Sequence, residues 1–127
     1  SISNGSSTKV QFDAQHWDTD GCYDTSNYRF TPNLAGYYLI VANVHVGSTS
    51  GTVEVNIYKN GSRWANCARN TSGSGGQGAI VTSMVAFNGT SDYVEVYIYQ
   101  VSGSSKSLGN GNAYSISEFS GNFVRGL

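Results

Sequence analysis

Three observations predict an all-β fold, an antiparallel sandwich or jelly roll. Tyr, Val, Thr, Phe and Ile dominate the larger side chains, and these residue types fit pleated, half-buried strands. No window repeats apolar residues at helical spacing, and Ala, Leu, Glu and Lys are scarce. Turn signals recur at Asn4-Gly5, Asn60-Gly61, Asn88-Gly89 and Gly109-Asn110-Gly111, as they do between the short strands of such folds.

Apolar runs between these turns predict strands at about 8–12, 28–30, 36–46, 52–59, 62–69, 78–87, 93–101 and 114–125. Pro32 falls between strands, where its missing N–H leaves no gap in a ladder. Asn60-Gly61 joins two of the strands in a two-residue hairpin of type I′, the turn whose twist matches that of the strands. A second meander runs through Asn88-Gly89-Thr90-Ser91.

Alternation assigns the faces. Val53, Val55 and Ile57 point inward, with Glu54, Asn56 and Lys59 on the wet side. Val94, Val96 and Ile98 point inward, with Tyr93, Glu95, Tyr97 and Tyr99 opposite them. The run GYYLIVANVHV at 36–46 departs from this pattern. Tyr38, Ile40, Ala42, Val44 and Val46 make one face, yet the other carries Tyr37, Leu39 and Val41 before Asn43 and His45. AIVTSMVAF sets Val81, Val85 and Phe87 against Ile80, Thr82 and Met84, and the last strand puts Phe119 and Phe123 together with Val124 opposite. Three strands apolar on both sides belong in one sheet. An uncovered outer face there is larger than monomers expose, so self-association is its expected cover.

Length and charge narrow the function. A chain of 127 residues makes one domain with its own core. Charged residues are only 12% of it, with a net charge of −1 and no Lys/Arg cluster. This excludes nucleic acid as an electrostatic partner and gives no basic face to a membrane. No apolar run approaches the roughly 20 residues that span a bilayer, so no membrane insertion is expected. There is neither an initiator Met nor a leader pattern. The chain is therefore expected to be excised from a longer protein or processed, with 1–9 a flexible linker and 10–127 the domain. Cys22 and Cys67 are expected to be small buried hydrophobes, with one bridge possible in an oxidising compartment.

The order YDTSNYRFTPNLAGYYLIVANV, an Asn-Gly hairpin, DYVEVYIY and FSGNFV resembles the C1q/tumour-necrosis-factor family from about Val10 to Val124. The matching elements are Phe30 before the Pro turn, Gly36-x-Tyr38, Asn60-Gly61 and Phe119-Ser120-Gly121. The resemblance implies a ten-strand, two-sheet jelly roll that assembles as a homotrimer. It implies an axis-facing set of Tyr37, Leu39, Val41, Asn43, Ile80, Thr82, Met84, Phe119 and Phe123, with Tyr38 in the core. The Ser/Gly/Asn-rich loops look most like C1q-like domains at the tips of bacteriophage tail fibres and bacterial collagen-like surface proteins. The implied role is a non-enzymatic head that recognises a cell-surface protein or glycan, on a virion or extracellular surface.

Catalytic and metal signals are thin. His16 and His45 lie in no triad-like or metal-like constellation, so no cofactor or metal is expected. A trimer would bring three His45 imidazoles near the axis, where they are expected at the interface rim. Asp13, Asp18, Asp20 and Asp24 have the residue type for acid–base work or calcium, but their loop predicts backbone capping instead. Trp17, Asp18 and Asp20 in one loop, and Arg63 and Trp64 after the hairpin, are candidate ligand contacts, with each tryptophan equally expected as a plug at one end of the sandwich. A monomeric carbohydrate-binding module of a secreted enzyme is the alternative reading. The Gly-rich loop 70–78 is expected to form a mobile rim. Asn-x-Ser/Thr matches at Asn4, Asn60, Asn70 and Asn88 are expected to follow from turn chemistry.

Overall fold

The computed structural model of the chain describes residues 1–47, 50–73, 75–109 and 116–127. The turn signal at Asn110-Gly111, the start of the strand expected from 114, and Ser74 of the 70–78 loop lie outside the described residues. Nine strands follow in order: β1 Thr8–Lys9, β2 Tyr23–Asp24, β3 Arg29–Phe30, β4 Gly36–Val46, β5 Gly51–Lys59, β6 Ser62–Thr71, β7 Gln77–Phe87, β8 Val94–Val101 and β9 Glu118–Arg125. All pairings between these strands are antiparallel. One sheet runs β2-β3-β8-β5-β6, with β1 also on β8; the other runs β7-β4-β9. The resemblance implies ten strands, and nine are formed by the described residues.

The sandwich core follows the alternation. Tyr38, Ile40, Ala42, Val44 and Val46 of β4 meet Val53, Val55 and Ile57 of β5 and Val94, Val96 and Ile98 of β8, all at most 6% exposed. The β5–β6 hairpin closes as its sequence requires. Asn60 has φ 51° and Gly61 φ 80°, the pair of positive values that defines a type I′ turn.

Residues 1–9 are not the flexible linker that their composition suggests. Ile2 is 1% exposed in the core, and its backbone exchanges hydrogen bonds with Lys106 at 2.7 and 2.9 Å. Asn4 Oδ1 accepts from the N–H groups of Ser102 and Gly103. One buried isoleucine and these backbone bonds hold a segment that otherwise reads as solvated.

Candidate functional site

The outward face of the β7-β4-β9 sheet is the apolar face that alternation left uncovered. Leu39 pairs with Met84, Val41 with Thr82 and Asn43 with Ile80. Odd positions of β4 therefore line up with even positions of β7, away from the core. Ile80 is 56% exposed, Met84 45%, Leu39 39% and Tyr37 37%. Isolated surface apolars are ordinary, but contiguous ones are not. On β9, Asn122, Ser120 and Glu118 continue this face opposite Leu39, Val41 and Asn43.

Phe119 and Phe123 do not belong to it. Their partners on β4 are Ala42 and Tyr38, both core residues, and cross-strand partners point to the same side. Phe119 packs among Phe12, Tyr23 and Phe30 at ring-centroid distances of 6.1, 5.7 and 5.7 Å. Phe123 lies edge-on to Tyr38 at 5.3 Å and stays 47% exposed because β9 is an edge strand. Alternation established that the two share a face; only the register with β4 shows which. Between Tyr37 and Tyr38 the register shifts, so Val124 stands as the extra residue of a bulge. Gly121 lies beneath this aromatic cluster, where a Cβ would come within 2.8 Å of the Phe30 ring. The Phe119-x-Gly121 element and Phe30 are thus one packing unit.

His45 is on the outward side of β4 beyond Asn43, pressed against the backbone of Gly78. Its backbone N–H donates to Ser117 Oγ at 2.9 Å, and its Nδ1 is buried without a partner among the described residues. Among the described residues, no group of three or more His, Cys, Asp or Glu could hold a metal ion.

The two candidate ligand regions are separate. Trp17 is 77% exposed beside His16, in the loop that leads into β2. Trp64 is 50% exposed on β6, at the opposite edge of the sheet. Four strand steps separate β2 from β6, roughly 19 Å. Trp17, Asp18 and Asp20 therefore cannot join Arg63 and Trp64 in one small pocket. Trp64 also has a structural task. Its Nε1–H donates to Ser83 Oγ at 3.0 Å, linking β6 to β7 of the other sheet, and Lys59 Nζ lies 5.5 Å from its ring centroid.

The acidic residues before β3 stiffen turns. Asp18 accepts from the N–H groups of Cys22 and Tyr23 at 2.9 Å each. Asp24 accepts from Asn27 Nδ2 and from the Ser26 N–H, and these bonds hold its carboxyl below the usual carboxylate range. Asp20 offers its backbone carbonyl to Asn33. Cys22 and Cys67 are both free thiols, half-buried against the core.

Two sequon asparagines are also committed to turns. Asn60 Nδ2 donates to Asp92 while its Oδ1 accepts from the Tyr93 N–H. Asn88 Oδ1 accepts from the N–H groups of Thr90, Ser91 and Asp92.

Behind the core lies an ionic cluster that sequence reading did not single out. Glu95 is 4% exposed, and its Oε1 accepts from Lys9 Nζ at 2.9 Å and from Arg29 Nε and Nη2 at 3.0 and 2.8 Å. Burial pushes its pKa up, but the bonds from Lys9 and Arg29 outweigh burial and leave it lowered. The Arg29 guanidinium also stacks 3.6 Å from the Tyr93 ring centroid. Burial likewise raises the pKa of Tyr23.

No curated protein matches the chain. The C1q domain family model matches residues 1–124, which includes the first nine residues as part of the domain. Two antiparallel sheets, with no helix among the described residues, agree with it. C1q domains are commonly trimeric ligand-binding heads, typically extracellular and non-enzymatic, and no described helix is long and apolar enough to cross a membrane. With the match spanning nearly its whole length, the chain belongs to the C1q domain family.

Proposed function

We propose that three copies of this chain associate through the outward face of the β7-β4-β9 sheet. The trimer then forms the head of a fibrous surface protein or phage tail fibre and binds a cell-surface protein or glycan through its outer loops. The observation that carries this is the exposed run of Tyr37, Leu39, Ile80 and Met84 on one sheet face. Fully burying such a side chain is worth roughly 1.5–3 kcal/mol. Several per chain compete with association costs of about 4–15 kcal/mol. Val41, Asn43 and Thr82 complete the face. Phe123, half-exposed on the edge strand, borders it without facing it.

Trp17 and Trp64, lying at opposite edges, give the head two separate aromatic contacts instead of one pocket. Tyr and Trp are favoured at recognition surfaces because they offer large rigid area with a polar handle.

Sedimentation equilibrium on the purified chain tests the association. A mass of three chains is expected at micromolar concentration. A single-chain mass there removes the basis of the proposal, and if accompanied by glycan binding it favours the monomeric carbohydrate-binding module.

A further inference from the structure

The outward face of the six-stranded sheet, on the opposite side of the sandwich from Leu39 and Met84, holds an unpaired amide. Alternation places Asn56 on the wet side, yet it is 0% exposed, and neither its Oδ1 nor its Nδ2 has a hydrogen-bond partner among the described residues. Buried polar side chains are nearly always paired. Val55 and Ile57 on either side face the core, which fixes Asn56 outward. Across the ladders it meets Tyr97 on β8 and Asn66 on β6. The Tyr58 and Tyr97 rings beside it lie 4.5 Å apart at 42°, and both remain partly exposed.

The ionised groups of this face are already engaged with one another, three cations with two carboxylates. Glu95 is held by Lys9 and Arg29, and Glu54 faces Arg63 at 3.9 Å. An ionic ligand finds little to pair with here. A neutral one with hydroxyls finds an unpaired amide, the exposed Asn66 amide and partly exposed tyrosine rings.

We propose that this face binds a neutral saccharide, with Asn56 as its buried recognition group. A side-chain amide offers donors and an acceptor side by side, which neighbouring sugar hydroxyls answer with an acceptor and a donor. The C–H faces of a pyranose pack on Tyr58 and Tyr97, which present an apolar body with a polar tip. Tyr58 is only partly buried, so its ring can turn aside on the fast timescale of surface side chains and admit the ligand. This names a ligand class for the head, and it does not rest on trimer formation, because the association face belongs to the other sheet.

The test is a titration of ¹⁵N-labelled protein with the methyl glycosides of glucose, galactose, mannose and N-acetylglucosamine, at millimolar concentration. At least one glycoside is expected to shift the Asn56 side-chain NH₂ signals and the Tyr58 and Tyr97 amides saturably. Asn56→Leu is expected to weaken that binding at least about tenfold while the melting temperature holds or rises, since an unpaired amide is replaced by an apolar side chain. Should Asn56→Leu fail to fold, Tyr58→Ala reads the same site and should lose the same affinity. The proposal is overturned if no glycoside moves the Asn56 signals, if the shifts gather at Trp17 or Trp64, or if the variants bind unchanged. The mass in solution reports on the association face alone, so the two proposals fail separately.

Discussion

Leu39 and Met84 stand directly opposite each other on β4 and β7, both turned away from the core and 39% and 45% exposed. Neither helps to fill the sandwich, so a charge at either position leaves folding nearly untouched. Met84→Glu is expected to dissociate the proposed trimer at micromolar concentration, moving the apparent dissociation constant by a hundredfold or more, about 2.7 kcal/mol. The circular dichroism spectrum should not change. Sedimentation of the wild type and variant side by side checks this, and an unchanged mass would place the interface elsewhere.

Phe119 gives the contrasting case. Its ring packs with Phe12, Tyr23 and Phe30 within one chain, so its loss is a loss of fold. Phe119→Ala is expected to destabilise the domain by about 2–4 kcal/mol, toward the low side for a phenylalanine because the site is only partly buried. Urea unfolding followed by tryptophan fluorescence measures it. A drop in oligomer mass with unchanged stability would put the ring at the interface after all.

Glu95 makes stability depend on pH in one direction. Its folded pKa lies below the ordinary value because Lys9 and Arg29 donate to it against the effect of burial. At intermediate pH the unfolded chain therefore binds more protons, and stability rises with pH. The contribution is present above the unfolded glutamate pKa of about 4.3 and is lost as pH falls through the lower folded value. Melting temperatures taken from neutral pH down to about 3 should show the decline. Glu95→Gln should flatten this dependence and lower stability at neutral pH, because Lys9 and Arg29 lose their shared anion.

The hairpin turn is held twice over. Asn60 occupies a left-handed conformation that asparagine tolerates better than most residues, and its side chain bonds Asp92 and the Tyr93 N–H. Asn60→Ala is expected to cost about 1–3 kcal/mol, measurable by urea unfolding. Asn60→Gly should recover the backbone part of that loss but not the side-chain part.

The long strands were legible because their periodicity runs over eight to eleven residues and because Asn60-Gly61 fixes its hairpin. Tyr23–Asp24 escaped, since two residues show no period. The stretch 1–9 misled, because a Ser-rich composition hides the one anchor, Ile2. Phe119 and Phe123 show the limit of alternation, which groups side chains by face without saying which face is inside. Asn56 shows another. The pattern rightly turned it outward, but exposure on an outward face depends on the size of its neighbours, here Tyr58 and Tyr97. In the candidate site, Leu39, Val41, Asn43, Ile80, Thr82 and Met84 were legible as one face. The Glu95 cluster was not, because Lys9 and Arg29 reach it from segments far away in sequence.

Strand β4 carries two separate instructions interleaved in eleven residues. Its even positions answer to the interior, and its odd ones from Tyr37 to His45 answer to whatever lies beyond the sheet. A saturation library across this strand should therefore split by parity, with even sites filtered by thermal survival and odd sites by quaternary structure. Slipping the strand by one step would exchange the two sets wholesale. Insertions and deletions in β4 should thus be far less tolerated than substitutions.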